Sequence, residues 1–479
     1  MPINTPHPLY TAALPKWKRC RDITEDTDTV KNEGEAYLPA LSGQTPGEYS
    51  AYKLRAFFYG AARRTVQAYQ GLVFRKPPAI EGVAEDEELL NDVTLTGMPV
   101  AQLAEAVFFE TVRVGRCGIY TALPENGNAN SRAYLTLYKA EQIINWQGEF
   151  TPDGYKLTRV VLWETIWKPG EDVYTLEEVE QYRELYLDDS GRVAVDLWRE
   201  TDGVTDGTTD KFARIQETVF PTFRGARLEQ IPFEIVNADG ETDGEISMPP
   251  LLPLVDANLH HYRLMADYNH GLHFCGLPTP WVAGFPAETE LKIGSSVAWV
   301  TEETDAKVGM LEFTGQGLNP LKEAIEQTVG YMASLGARLL EQDKSAAEAA
   351  ETHRIRQGRE ESTISNIANS VSFSLSRAVG WLIELSGATA EAGGIAYRLN
   401  SDLVDAKVGA QDLRELVNAW QTGAIGFDTL YHNLRQGELT RPDITAEEER
   451  NLIDAETAIS TTADNGGVFD GDGDGNIGE

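Results

Sequence analysis

The chain is predicted to fold as an α+β protein. Apolar residues recur at helical spacing near the N-terminus and again beyond Pro250, whereas β-branched and aromatic runs divided by Gly, Asn and Asp turns fill the stretch between them. At 479 residues the chain is long enough for two or three packed units with a large core.

After a Pro-rich opening, Tyr52, Leu54, Phe57, Phe58, Ala61, Ala62, Thr65, Val66 and Tyr69 fall at helical spacing. Pro46 stands at the first turn, and Gly71 then Pro77 and Pro78 close the segment, which predicts one amphipathic helix. The run "MPVAQLAEAVFFETVRVG" predicts a second. Strands are expected at "CGIYTALP", "AYLTLYKAEQIINW", "YKLTRVVLWETIW", "EQYRELYLDDSGRVAVDLWRE" and "IPFEIVN". Between Glu171 and Glu245 twenty acidic residues face seven basic ones, the pattern of a solvated face.

From Pro250, "PPLLPLVDANLHHYRLMADYNHGLHFCG" predicts a helix of about 24 residues, about 36 Å long, ended by Gly276 and Pro278. Three short strands follow at "TPWVAGFP", "GSSVAWVTEE" and "KVGMLEFTG". Leu318, Leu321, Ile325, Val329, Met332, Leu335 and Leu339 then recur at steps of three and four behind a start at Asn319 and Pro320. A further helix shows Ile364, Ile367, Val371, Leu375, Ala378 and Leu382 and ends at Gly387, after which "GIAYRLNSDL" returns to strand. "AQDLRELVNAWQTGAIGFDTLYHNLRQGEL" and "TAEEERNLIDAETAI" predict two or three short helices, and "TTADNGGVFDGDGDGNIGE" has the composition of a disordered tail.

Between the two long helices lies "LLEQDKSAAEAAETHRIRQ", which carries no large apolar residue from Gln342 to Arg354. Ala and Glu are strong helix formers, so propensity alone joins the flanking helices into one rod of nearly 70 residues. Gly358, at a cost of about 1 kcal/mol, is too weak to break it.

A formal net charge of −34 argues against a protein that grips nucleic acid by neutralising phosphates. Cys20, Cys117 and Cys275 are far apart and odd in number, without CxxC spacing, so they are expected to be reduced and mostly buried. The N-terminus has no apolar run after a basic start, and no segment approaches the roughly eighteen apolar residues of a membrane span, so a soluble protein with no membrane partner is expected. Of the clustered His260, His261, His270 and His273, only the last two are spaced to share a helix face, and no HExxH accompanies them. In the tail, Asp470, Asp472 and Asp474 with Gly475 and Ile477 match the early positions of an EF-hand loop, but the Glu of position 12 would fall beyond Glu479. This leaves a weak Ca2+ candidate, and no other cofactor is expected. GxSxG, GxxxxGK[ST] and GxGxxG are all absent, and no residue pattern nominates an active site.

Five segments together carry a resemblance. They are "NTPHPLYTAALPKWKRCRDI", "AYKLRAFFYGAARRTVQAYQGLVFRKPP", "AEQIINW", "DANLHHYRLMADYNHGLHFCGLPTPWVAG" and "LGARLLEQDKSAAEAAETHRIRQGREESTISNIANSV". In this order they resemble the portal proteins of tailed bacteriophages, in particular a type found in short-tailed phages. Portal proteins form rings, usually of twelve subunits, at one capsid vertex, through which double-stranded DNA is packaged and later ejected.

The resemblance implies a portal fold in parts. Residues 1–250 would form a β-rich wing, 251–277 the first stem helix, 278–315 a clip, and 316–341 the second stem helix. A tunnel loop would occupy 342–353, a long helix and return to the wing 354–404, and a helical crown with an acidic tail 405–479. It further implies that Lys344, Ser345, Glu348, Glu351, His353, Arg354 and Arg356 lie at the DNA channel, where small polar side chains let a duplex slide. Trp281, Trp299 and Met310 would be apolar anchors of the clip. The implied role is a homo-dodecameric head-tail connector in the virion, made and assembled in the host cytoplasm and without catalytic activity of its own. Its implied partners are the terminase large subunit, the major capsid protein, a tail adaptor protein and DNA in the lumen, whose acidic wall would repel phosphates. Acidity, a β-rich centre and the aspartate tail also fit a calcium-dependent adhesion or binding module, against which the missing repeated calcium loops count.

Overall fold

The computed structural model describes all residues except 1, 84–87, 124–131, 153, 171, 173, 201–210, 242, 277–278, 286–298, 301–303, 312–314, 337–349, 389–393, 402, 404–409, 438, 442–443 and 465–479. Helices and sheets are both extensive, as an α+β class requires. Two units separate, Met1–Asp402 and Leu403–Glu479.

In the first unit the order is α1 (Pro8–Glu25), α2 (Thr27–Asn32), α3 (Pro46–Arg55), α4 (Ala61–Val73), β1 (Ala79–Glu81) and α5 (Val100–Val114). The sheets follow as β2 (Arg116–Ala122), β3 (Tyr134–Lys139), β4 (Ile143–Thr151), β5 (Gly154–Pro169), β6 (Leu176–Leu187), β7 (Val193–Glu200), β8 (Phe212–Arg214), β9 (Thr222–Phe223), β10 (Ala226–Arg227) and β11 (Phe233–Asn237). Then come α6 (Leu252–Gly276), β12 (Thr279–Ala283), β13 (Lys307–Leu311), α7 (Leu318–Ser334), α8 (Ala350–Leu385) and β14 (Ala396–Arg398).

The Pro-rich opening, given no element above, is an 18-residue helix. Pro8 sits in its first turn, where a missing N–H costs nothing, and the His7 ring accepts the Leu9 amide. Pro15 stands on the exposed side, where water reaches the carbonyl it frees. Ala13, Trp17, Cys20, Ile23 and Thr24 form the buried stripe.

The helix expected over Tyr52 to Tyr69 is two helices. The chain leaves α3 after Arg55 and re-enters at Ala61, and a break of this kind exposes orphan carbonyls and amides. Two asparagines of α6 take them up. Asn258 Nδ2 donates to the Tyr59 carbonyl at 2.8 Å while its Oδ1 accepts the Ala62 amide at 3.1 Å, and Asn269 Nδ2 donates to the Arg55 carbonyl at 3.2 Å. Because Asn258 is fully buried, water cannot replace it, and Asn258→Ala is expected to cost about 2 to 4 kcal/mol for the two groups left unpaired. Denaturant unfolding of the purified chain measures this, and a loss below 1 kcal/mol would show that the break satisfies itself.

The β-rich middle forms two sheets. Strands β11-β2-β3 make an antiparallel three-stranded sheet, and β4 through β8 make a five-stranded meander. Their facing sides meet in a cluster that includes Tyr120, Tyr138, Ile143, Trp146, Val160, Leu162, Leu185, Val195 and Phe233. Gly118 lets the Phe233 ring lie against the backbone of β2, since a Cβ there would come within 2.9 Å of Phe233 Cε1. Strand β2 is buried on both faces. Its second face meets helices, with Cys117 Sγ at 3.8 Å from the Val107 carbonyl of α5 and Thr121 Oγ1 donating to the Ala378 carbonyl of α8. Helix α8 thus covers the small sheet, with Ile364, Ile367, Val371, Leu375, Ala378 and Leu382 all buried, the five larger side chains worth about 1.5–3 kcal/mol each. Ser372 and Ser376 of α8 accept the Leu399 and Tyr397 amides, which fixes β14 beside β1.

The rod expected from Leu318 to Ser386 is not continuous. Helix α7 ends at Ser334, and Gly336 follows at φ +113°, a conformation that L side chains rarely adopt, while Leu339 lies outside the described residues. The described break falls at Leu335 and Gly336, not at Gly358, which lies inside α8, and Tyr69 of α4 occupies the space a side chain at 336 would need. In the second unit α9 (Ala410–Gln421), α10 (Phe427–Gln436) and α11 (Ala446–Asp464) realise the short helices. Tyr431 Oη donates to the Ile444 carbonyl at 2.6 Å, and Thr445 with Glu448 forms a reciprocal cap at the start of α11.

Candidate functional site

Helix α6 is seated on the N-terminal helices by a ladder of polar contacts along its first four turns and beyond. Asp256 pairs with Arg19 at 3.0 Å, Arg263 Nε donates to the Tyr37 carbonyl at 2.8 Å, and the buried Tyr52 hydroxyl donates to Asp267 at 2.6 Å. Asn258, between these rungs, and Asn269, just past the last, hold the α3–α4 break. Burial first, and then the Asp267 carboxylate, pushes the Tyr52 hydroxyl well above its ordinary pKa, so the donor stays protonated. The His270 ring stands edge-on to Tyr52 at 5.1 Å. Burial lowers His261 and His270, aided by His260 and Arg55 respectively, so both rings stay neutral packing groups at pH 7. Among the described residues no group of three His, Cys, Asp or Glu gathers to hold a metal ion.

Beyond Ala266 the core stops. Of α6, Leu252 to Ala266 contributes eight buried residues, and the part after it contributes none. Helix α7 returns alongside. Its first residue, Leu318, lies against Gly271, where a Cβ would come within 2.7 Å, while Gly336 past its end meets Tyr69 of α4. The pair therefore runs antiparallel, with β12 and β13 as a ribbon at the far end.

That ribbon separates the expected clip anchors. Trp281 is opposite Gly309, whose missing Cβ admits the indole, whereas Met310 is opposite Pro280 on the other face with Val308 and Val282. Trp281 and Met310 are both exposed, each on its own side. Trp299 lies outside any strand and is half-buried, and the rest of the strand expected at "GSSVAWVTEE" is outside the described residues apart from Val300.

Of the expected channel residues, Lys344, Ser345 and Glu348 lie outside the described residues. Glu351, His353, Arg354 and Arg356 lie in the first turns of α8, which starts at Ala350 and so takes in the last four residues of the 342–353 interval. Asp470, Asp472 and Asp474 are also outside the described residues. Cys20 and Cys117 are buried free thiols and Cys275 is half-buried. No described helix is long and apolar enough to cross a membrane.

Residues 250–385, the span from α6 through α8, match a family described as a domain of unknown function, DUF4055. No curated protein matches the chain. Among solved structures, a chain from the virion of a native gene transfer agent particle aligns at 14% identity and TM-score 0.39, covering 84% of this chain and 97% of that one. A chain from the neck of the native particle, computed with C12 symmetry, aligns at 14% identity and TM-score 0.39 over 86% of this chain and 99% of that one. One from the neck of the empty particle, computed with C6 symmetry, aligns at 15% identity and TM-score 0.38 over the same shares.

Proposed function

We propose that the chain is the subunit of a portal-type ring, in which α6 and α7 form the stem, the β12–β13 ribbon the clip, and the two-sheet body with α8 the wing. The observation that carries this reading is the outer half of the helix pair. It projects from a well-packed body with no core of its own, yet exposes Leu272, Phe274, Trp281, Val308 and Met310. In an isolated chain these apolar side chains stand in water, and copies packed side by side around an axis would bury them. Anchors on both ribbon faces suit a subunit with a neighbour on each side.

The ring is a channel for double-stranded DNA and a docking platform for the terminase large subunit and, later, a tail adaptor. Its net charge of −34 per chain keeps phosphates off the wall. The native mass of the purified protein tests the reading. Twelve copies of a 52.8 kDa chain give about 630 kDa, with a central channel expected in negative-stain images of the same sample. A monomer or dimer at every concentration would overturn it.

A further inference from the structure

Strands β5 and β6 outrun their sheet. The pairing of β4 with β5 stops at Leu162 and that of β7 with β6 stops at Gln181, so Trp163–Pro169 and Leu176–Glu180 stand as a two-stranded ribbon beyond the meander. Its end is closed by the Gly170 amide donating to the Thr175 carbonyl at 2.7 Å and by Asp172 accepting the Tyr174 and Thr175 amides at 2.8 and 2.7 Å. Two-stranded ribbons are marginal alone in water. This one nevertheless carries Trp167 at 62% exposure, Leu176 at 61% and Tyr174 at 96%. Pairing puts Pro169 with Leu176 and Trp167 with Glu178 on one face, followed by Glu180. The tip is an apolar knob with an acidic flank.

A groove of about 450 Å³ opens elsewhere on the same unit, lined by Arg224, Arg377, Gly380, Trp381, Glu384 and Ile395 among others. Among the described residues Arg377 is already engaged by Glu234, so the exposed Arg224 supplies the groove's available positive charge, with Glu384 opposing it in the lining. Arg377 is held with its Nε 2.8 Å from Glu234 and its guanidinium near the rings of Phe373 and Trp381, at 5.9 and 5.7 Å. Gly380 leaves the floor flat, with nothing within 4 Å of where a Cβ would stand.

An apolar knob flanked by Glu178 and Glu180 suits a groove walled by Trp381 and Ile395 with Arg224 in its lining, but one chain cannot join its own. Leu157 lines a small cavity together with Arg377, and Trp167 is ten residues further along β5, about 33 Å away at 3.3 Å per residue. A contact between different patches of two copies is head-to-tail, the geometry that closes into rings. We infer that the β5–β6 tip of one subunit seats in the groove beside Arg377 of the next copy of this chain, an inference that rests on the ring reading.

The test uses the full chain with Cys275→Ser, since Cys20 and Cys117 are buried. Trp167→Cys and Gly380→Cys are introduced singly and together and treated with a short bismaleimide. The double variant is expected to give a covalent ladder of dimers, trimers and higher steps, each single variant alone none, and a mixture of the two singles dimers only. In parallel, Trp167→Glu, at an exposed position, is expected to leave the monomer's circular dichroism unchanged and to raise the concentration at which rings half-assemble at least tenfold. Rings that form normally in Trp167→Glu and give no ladder in the double variant would overturn the tip contact and leave the ring reading standing. Absence of rings in the unmodified protein would overturn both.

Discussion

Replacing Arg21 with methionine is expected to destabilise the first unit by about 3 to 5 kcal/mol, the cost of leaving buried charges unpaired. Arg21 bridges two carboxylates. Its Nε and Nη2 lie 2.5 and 2.7 Å from the Glu141 oxygens, and its Nη1 and Nη2 lie 3.1 and 2.6 Å from those of Glu110. The three groups come from α1, α5 and the turn before β4, so one guanidinium joins the N-terminal helix to both layers of the body. Glu110 is almost wholly buried, and without the arginine it would face Glu141 across a site with little water. Lysine cannot form two bidentate pairs, so Arg21→Lys is expected to recover only part of the loss. Denaturant unfolding provides the measurement. A triple replacement, Arg21→Met with Glu110→Leu and Glu141→Leu, is expected to return most of the stability because it removes the stranded charges. A loss under 1 kcal/mol for Arg21→Met would mean that the bridge is hydrated and contributes little.

Arg21 also shows why some of this molecule was legible. The segments that carry the portal resemblance turn out to face one another. Arg21 of "KWKRCRDI" meets Glu141 of "AEQIINW", His7 of "NTPHPLY" stacks on Trp146 of the same run at 4.3 Å, and Tyr52 of "AYKLRAFFYG" meets Asp267 of "MADYNHG". These polar and aromatic residues form joints between elements distant in sequence, and a joint needs specific partners where a core position needs only volume. Periodicity found the members that obey it, such as the α8 stripe and the strands of the meander. It failed where tertiary contacts override local preference. The α3–α4 break is stabilised by Asn258 and Asn269 from a helix two hundred residues away, and nothing local to Phe57–Gly60 announces it. Helix α1 was hidden by Pro8 and Pro15, although Trp17, Cys20 and Thr24 already marked a stripe. The opposite faces of Trp281 and Met310 required the ribbon register, which a strand's composition does not reveal.

The stability of the first unit is expected to fall as pH rises from about 4.5 to about 7, through Glu234. This carboxyl sits on β11 between the small sheet and α8, with its side chain 5% exposed. Burial pushes it from its ordinary 4.5 up to about 7, and Arg377 pulls it back only partly because that guanidinium is itself open to water. The sign follows from which state holds the proton. Below 4.5 the group is protonated in both folded and unfolded chains, and its contribution to stability is whole. Between 4.5 and 7 the unfolded chain releases the proton while the fold retains it, so stability declines, and above 7 the contribution is lost. Two and a half pH intervals at about 1.4 kcal/mol each set the scale at about 3 kcal/mol. Other acids titrate in the same range, so the decisive quantity is the difference from Glu234→Gln, which keeps the volume without the charge. That variant is expected to match the unmodified protein near pH 4.5 and to exceed it by about 3 kcal/mol near pH 8 in denaturant unfolding. Parallel curves across the whole range would mean that Arg377 and solvent already neutralise the cost of ionising Glu234 in the fold.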